Sequence, residues 1–504
     1  MGLAAAAWRL NVEMMRYAAI LALLTLVAIP AGAQQLLGRV FLPDSSTPAA
    51  GAVLEAALDG DSSVRVRTLS SGTGDFLLVL PRPGTYALTG LRIGYAPTDL
   101  GRLTLGANER RTARFTLGNA PVRLQVVRVD ARAQCGREVQ GGSTVASLLT
   151  QVRTALGAAT LTSTDGRAEA EWRSYRLIVD HRNVPLAGPW DSVRTGATQR
   201  PFASVSVFQL SNEGFVRFVD DGAEYRAPDA EVLLSEWFVS THCFAVVEDD
   251  ARPELIGLRF TPATVRRNLI DIRGTLWLTR EGTALQMMDF GYVGLPRYLE
   301  VANPGGSLAF ARLSDGAWIV RAWELRMPRA VRSFLIARAS EGEREVPQVV
   351  ASTEYIGAQV AAVRRGDATL FSGSVESLAQ RFPAIGTPSA RPSCPAALAY
   401  DRDTQGLVYG EIRTAHGSLP RSTRAEISWM APPHPSLPQS ERRQIRLLDA
   451  PDGFFMLCGM PFGSGISVKA LAPGYVQGEE SLRLGTRTPT ARLQFVLEPA
   501  PTVP

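Results

Sequence analysis

Only four histidines and four cysteines occur in 504 residues, and lysine occurs once, at Lys469. So little histidine excludes a histidine-rich metal site, and four cysteines exclude a dense disulfide scaffold. Beyond the N-terminal segment no stretch approaches the roughly 18 uncharged apolar residues of a membrane-crossing helix, so no transmembrane segment is expected after removal of a leader. The formal charge of +5, from 53 basic and 48 acidic residues, is carried almost wholly by arginine. These arginines are dispersed and interleaved with acids. That excludes the clustered basic face of a nucleic-acid binder and reads as a solvated mixed-charge surface, with the Ala, Arg, Gly and Pro bias reflecting a GC-rich coding sequence.

Catalytic motifs are also missing. None of His181, His242, His416 and His434 is followed three residues later by Glu, as a zinc peptidase requires. There is no G-x-S-x-G nucleophile elbow, Lys469 lacks the glycines of a phosphate loop, and Asp59-Gly60-Asp61 has the wrong spacing for a calcium loop. Accordingly no catalytic residue, metal or cofactor is expected. Three weak site candidates remain. Asp220 and Asp221 could hold a cation or act as an acid pair, but adjacent carboxylates in a loop have no set separation and read as a solvated hairpin turn, as do Glu248-Asp249-Asp250. His242 could serve as a base, yet no nucleophile is near it in sequence, and it reads as a structural or surface histidine. Trp277, Trp318 and Trp323 could line a groove and read more simply as core.

What the chain does contain is enough apolar residue, 45%, to bury cores, and enough length for about three domains. The 45 glycines and 33 prolines point to turn-rich β structure. At the N-terminus, Arg16 precedes an apolar run from Tyr17 to Ile29, followed by Pro30 and Ala31-Gly32-Ala33. This is the order of an export signal with cleavage after Ala33, so residues 1–33 are expected to be a signal peptide. The four cysteines, Cys135, Cys243, Cys394 and Cys458, all follow it. Pairing Cys135 with Cys243 and Cys394 with Cys458 keeps each bridge within one inferred domain, out of three possible connectivities. His242 and Cys243 then point to opposite faces of one strand.

From residue 34 to 120 short strand-like runs alternate with turns such as Asp59-Gly60, Ser71-Gly72-Thr73-Gly74 and Pro81-Arg82-Pro83-Gly84, the pattern of a small sandwich. Gly38-Arg39-Val40, Gly74-Asp75-Phe76, Pro83-Gly84-Thr85-Tyr86 and Gly94-Tyr95 follow in order. This stretch resembles the carboxypeptidase regulatory-like domain, a prealbumin-like β-sandwich found in exported bacterial proteins. The resemblance implies an accessory fold and carries no peptidase activity. Phe76, Tyr86 and Tyr95 are expected to fill its core. Residues 399–498 repeat the plan: Gly410-Glu411-Ile412 matches Gly38-Arg39-Val40, Gly453-Phe454-Phe455 matches Gly74-Asp75-Phe76, Gly474-Tyr475 matches Gly94-Tyr95, and Thr490-Ala491-Arg492-Leu493 matches Thr112-Ala113-Arg114-Phe115.

Residues 133–365 differ. Ser143 or Thr144 can cap a helix whose Val145, Leu148, Leu149, Val152 and Leu156 share one face. Strand-like runs follow, among them Val205 to Leu210, Phe238 to Val247, Asp271 to Leu278, Leu285 to Tyr292 and Trp318 to Leu325, and suggest an antiparallel meander similar to the half-barrels of periplasmic lipoprotein carriers. Residues 366–398, with Pro383, Pro388, Pro392 and Pro395, read as a linker, and 499–504 as a disordered tail. The expected architecture is mainly β: two sandwiches flanking a larger α+β middle domain with a half-barrel-like antiparallel sheet. The expected role is that of an exported, non-enzymatic protein of the periplasm or cell envelope, binding an envelope protein, carbohydrate or lipid through its modules. The alternative is a lipid or lipoprotein carrier, or a hydrolase with its site in the middle domain.

Overall fold

A computed structural model describes residues 33–118, 133–135, 144–164, 168–197, 204–219, 222–281, 283–332, 348–382, 391–395, 398, 401–415, 418–431 and 442–501. The chain divides into two units, 1–120 and 121–504. Residues 1–32 of the export signal, the Asp220-Asp221 pair and residues 502–504 of the expected tail lie outside the described residues, whereas Ala500 N of that tail donates to the Gly474 carbonyl at 2.8 Å.

The first unit consists of β1 (Gln34–Phe41), β2 (Val53–Leu58), β3 (Asp61–Leu69), β4 (Asp75–Leu80), β5 (Gly84–Leu91), β6 (Thr98–Leu105) and β7 (Arg110–Thr116). They form two sheets, β4-β1-β7 and β3-β2-β5-β6, with β1 and β7 parallel. Alternation puts Leu36, Val40, Leu54, Ala56, Phe76, Leu78, Leu80 and Leu88 between the sheets. Tyr86 is fully buried and satisfies its hydroxyl by donating to the Arg82 carbonyl at 2.7 Å. Tyr95, expected in this core, is instead half-buried with the Arg92 guanidinium 5.0 Å from its ring centre.

The second unit contains β8 (Gln134–Cys135), helix α1 (Thr144–Thr164), β9 (Glu169–Asp180), β10 (Pro185–Ala197), β11 (Val216–Val219), β12 (Gly222–Tyr225), β13 (His242–Val247), β14 (Leu255–Pro262), β15 (Asp271–Thr279), β16 (Leu285–Val293), β17 (Gly305–Arg312), β18 (Trp318–Arg332), β19 (Gln348–Arg365) and β20 (Ala368–Ser372). All but α1, β11 and β12 build one antiparallel sheet of 11 strands in the order β10-β9-β19-β18-β17-β16-β15-β14-β13-β8, with β20 on β19. β13 to β18 are consecutive neighbours, a meander.

Helix α1 packs against β13, β14, β16 and β18. The five residues of its apolar stripe are buried, but so are Gln151, Thr154 and Ala158 on other sides. The helix tolerates this enclosure because Thr150, Thr154 and Thr162 return their hydroxyls to carbonyls four residues back, and the Gln151 amide oxygen accepts from Thr283 at 3.2 Å. Two expected strands are partly helical. Ser206 caps a helix over Val207–Glu213 by accepting from Gln209 N, and Ser235 caps Glu236–Thr241 by accepting from Phe238 N. Both caps follow the N-cap rule that the apolar runs obscured.

The C-terminal strands are β21 (Gln405–Thr414), β22 (Arg424–Met430), β23 (Arg443–Asp449), β24 (Phe454–Pro461), β25 (Gly465–Leu471), β26 (Gly478–Arg483) and β27 (Thr490–Leu497). Their sheets, β24-β21-β27 and β23-β22-β25-β26, reproduce the first sandwich strand for strand, including the parallel β21–β27 pair. Gly38 lies beside Phe76 and Ala113, and Gly410 beside Phe455 and Leu493. The last strands therefore match two residues later than the sequence suggests, with Phe115 equivalent to Phe495.

This second sandwich is fastened to the large sheet. Ile178, Leu186, Ala187 and Ala351 of the sheet bury a shared cluster with Leu407, Tyr409, Phe454 and Met456. Residues 366–398 take part: β20 extends the sheet, Ser393 N donates to Asp180 at 3.0 Å, and Cys394 is buried in the cluster. The structure pairs Cys394 with Cys458 and Cys135 with Cys243.

Candidate functional site

His242 lies at the first position of β13 with no solvent exposure. Its Nδ1 is 3.0 Å from the Phe238 carbonyl, its Nε2 is 3.3 Å from the Ile272 carbonyl and 3.4 Å from Asp271, and its ring stacks on Phe238 at 3.9 Å. Burial opposes ionisation of Asp271, but His242, the Ile272 N–H and Arg266 together hold its carboxyl below the usual range. This group ties the Glu236–Thr241 helix to β15 and offers nothing to a substrate. Glu248 and Asp249 form surface pairs with Arg280 and Arg252. Trp277 and Trp318 are core residues.

The large sheet has two unlike faces. On one, Leu258, Phe260, Ile272, Leu276, Met288, Phe290 and Leu308 are buried. At its β9-β19-β18 end that same face meets the C-terminal sandwich. There Arg176 binds Glu354 and Asp452, each at 2.5 Å, and Arg329 binds the same two carboxylates.

The opposite face holds a groove of about 700 Å³. Ladder pairing sets two rows of side chains across it. One runs Ala245, Arg259, Thr275, Asp289, Ser307, Glu324, Gly357, Tyr175. The next runs Arg273, Gly291, Gly305, Arg326, Tyr355. Arg273 and Arg326 therefore stand three strands apart, about 14 Å between Cα atoms at about 4.8 Å per strand. Between them the floor is bare backbone. Gly305 cannot carry a side chain, since a Cβ there would lie 2.2 Å from the Phe290 carbonyl oxygen. The segment around Glu300, Asn303 and Pro304 forms one rim.

Charges on this face are engaged unequally. Asp289 accepts from the Trp277 indole N–H at 3.1 Å. Glu324 accepts from the Tyr175 hydroxyl and from Arg381 Nε at 2.7 Å. Burial and the Glu324 charge raise the Tyr175 hydroxyl, and the bond to Glu324 raises the Arg381 guanidinium. By contrast Arg259, Arg273 and Arg326 form no ion pair among the described residues; Arg326 hydrogen-bonds the Tyr355 hydroxyl beside it, while its Nε is buried without a hydrogen-bond partner. A second groove of about 540 Å³ adjoins along Ser307 and runs past Tyr175, Gln359 and Arg381. Among the described residues no cluster of three or more His, Cys, Asp or Glu could hold a metal.

No family model matches this chain, and no curated protein is similar to it. Among solved structures, the Bacillus anthracis TIE protein aligns over 93% of this chain and 51% of its own at 9% identity and a TM-score of 0.15. This chain thus spans about half the length of that protein. A streptococcal ancillary pilin aligns over 93% and 99% at 9% identity and a TM-score of 0.14, and BcpA, the major pilin subunit of Bacillus cereus, over 93% and 100% at 8% and 0.15. Superpositions this loose carry no argument about fold or function.

The three groove arginines escaped the sequence reading because each occupies the polar position of an ordinary alternating strand, as in Leu258-Arg259-Phe260. The signal was arginine without an opposing acid, and it becomes visible only once strand register is known.

Proposed function

We propose that this chain is an exported, non-enzymatic envelope protein that holds an anionic ligand on the open face of its large sheet, with two sandwiches of the carboxypeptidase regulatory-like type as rigid modules. The observation that carries the reading is the row Arg273, Gly291, Gly305, Arg326: two arginines without ion-pair partners flanking a glycine floor in a groove of about 700 Å³. Guanidinium groups suit carboxylate and phosphate groups through paired N–H donors. The two disulfides support an oxidising compartment outside the cytoplasm. A lipid-carrying role fits less well, because the chain's own helix α1 occupies the apolar face.

The test is binding of an acidic oligosaccharide, an acidic peptide and anionic-lipid vesicles to the full chain and to its Arg273→Ala/Arg326→Ala variant. A charge-assisted hydrogen bond contributes about 1.5–3 kcal/mol, so the variant should bind the preferred probe at least about tenfold more weakly. The reading fails if no probe binds the parent, or if the variant binds as tightly.

One observation favours a second reading. Asp289 and Glu324 flank Ser307 on one row of the groove, two strands apart, a spacing that paired carboxylates of inverting glycosidases can use. Turnover of an oligosaccharide, abolished by Asp289→Asn, would favour it.

A further inference from the structure

The groove that carries the arginine pair does not stop at its glycines. It shares Ser307 with the second groove, and the two run on along one strand, β17. Gly305, Ser307 and Ala309 line them in turn, so the floor bears small side chains only. Beside these stand Gly291, Asp289 and Met287 of β16 and Arg326, Glu324 and Ala322 of β18. From Gly305 to Ala309 this trough is about 13 Å long, at about 3.3 Å per residue.

Charge alternates along it. At one end stand Arg273 and Arg326. At the other Arg321 is exposed, with no ion pair among the described residues. Between them Asp289 and Glu324 flank Ser307. Asp289 is held through Oδ2 by the Trp277 indole, and Glu324 through Oε2 by Tyr175 and Arg381. A carboxylate has about four acceptor sites, so both keep capacity towards the trough. The ends thus offer guanidinium donors, and the middle offers acceptors and a hydroxyl. A run of glutamates laid here would meet two carboxylates at its centre. A chain of acidic sugars does not share that conflict. Its ring hydroxyls donate to carboxylates and accept from guanidinium groups, and acid groups on separate sugar units answer the two ends.

We propose that the trough along β17 is the binding track of a uronic-acid oligosaccharide, with carboxylates at the Arg273–Arg326 and Arg321 ends and hydroxyls on Asp289, Ser307 and Glu324. This assignment rests on the groove holding an anion and adds the class of the ligand. Calorimetry of the full chain with tetragalacturonate, galacturonate and hexaglutamate tests it. Tetragalacturonate should bind at least about tenfold more tightly than galacturonate, since only the longer ligand reaches Arg321, and at least about tenfold more tightly than hexaglutamate. Ala309→Leu fills the floor beyond Ser307. With the parent's thermal midpoint, it should bring tetragalacturonate down to the affinity of galacturonate and leave galacturonate unchanged. Ala322→Leu, from the neighbouring strand, should do the same. Asp289→Asn, which keeps an acceptor for Trp277, should lower the preference for tetragalacturonate over hexaglutamate several-fold. Hexaglutamate binding as tightly as tetragalacturonate overturns the sugar assignment and leaves the anionic-ligand reading standing. So does a preference for tetragalacturonate that survives both leucine variants, or one that Asp289→Asn leaves unchanged. If no probe binds the parent, the assignment and the reading beneath it both fall.

Discussion

Asp452, in the turn before β24, is bound by Arg329 of β18, a residue 123 positions earlier in the chain. Arg176 of β9 shares the same carboxylate, and Glu354 of β19 joins both arginines from beneath. The ion pairs close over an apolar cluster of Phe454, Met456, Tyr409 and Ile178, so the C-terminal sandwich and the sheet are held by charge and packing at one seam. The first sandwich places Thr73 where the second has Asp452.

Replacing Asp452 by Ala should therefore destabilise the second unit by about 3 kcal/mol at neutral pH, because two arginines would share one remaining carboxylate in a partly dry seam. Burial alone would raise the Asp452 carboxyl. Arg329, Arg176 and the Phe454 N–H outweigh it and hold the group below its ordinary value. A lowered folded-state pKa means that the stabilisation is fully present above the unfolded-chain value, about 3.9, and is lost as pH falls through the lower folded value. Urea unfolding of parent and Asp452→Ala should differ most at pH 7 and converge towards pH 3. Equal differences at both pH values would refute this account of the seam.

Gly38→Ala and Gly410→Ala test the shared plan of the sandwiches. A Cβ at Gly38 would lie 1.9 Å from the Ala113 carbonyl oxygen, and one at Gly410 would lie 2.4 Å from the Leu493 carbonyl oxygen and 2.7 Å from the Phe455 ring. Neither backbone neighbour can move without breaking the parallel β1–β7 or β21–β27 ladder. Each substitution should cost about 2 kcal/mol or more, as overpacking does. Gly465→Ala, where a Cβ meets nothing within 4 Å, is the control and should be near neutral. Thermal midpoints of the three variants decide the matter.

The two sandwiches were legible because glycine and aromatic residues mark turns and close approaches that no other residue fits, as at Gly38 under Phe76. The last strand was misaligned by two residues for an equally physical reason. A strand repeats its facing every second residue, so Thr490–Leu493 fits the pattern of Thr112–Phe115 as well as the true match does, and only ladder partners distinguish them. Helix α1 was visible through Val145, Leu148 and Val152. Its enclosure was not, because buried Thr154 and Thr162 look like solvent-facing residues until their hydroxyls are seen to turn back on the helix. The groove was hidden most completely, since its rows join residues from strands scattered between Tyr175 and Gly357.

A general acid or base must reach a substrate proton at hydrogen-bond distance, directly or through one water. His242 has no exposed surface, and both of its ring nitrogens face protein acceptors. His242→Ala should therefore lower stability by about 3 kcal/mol through the lost packing and hydrogen bonds. The groove carboxylates stand differently, since Asp289 and Glu324 line it, yet each is engaged by a protein donor, Trp277 or the Arg381–Tyr175 pair. These contacts fix the acids as supports of the floor between Arg273 and Arg326. On this account Glu324→Gln weakens the Arg381 contact and loosens the adjoining groove, while peptide, ester and glycoside substrates remain uncleaved by parent and variant alike. Substrate panels run beside thermal unfolding make the distinction. If the parent cleaves any of them, and Asp289→Asn or Glu324→Gln abolishes cleavage while the folded fraction is unchanged, the groove is an active site and the binding role must yield to it.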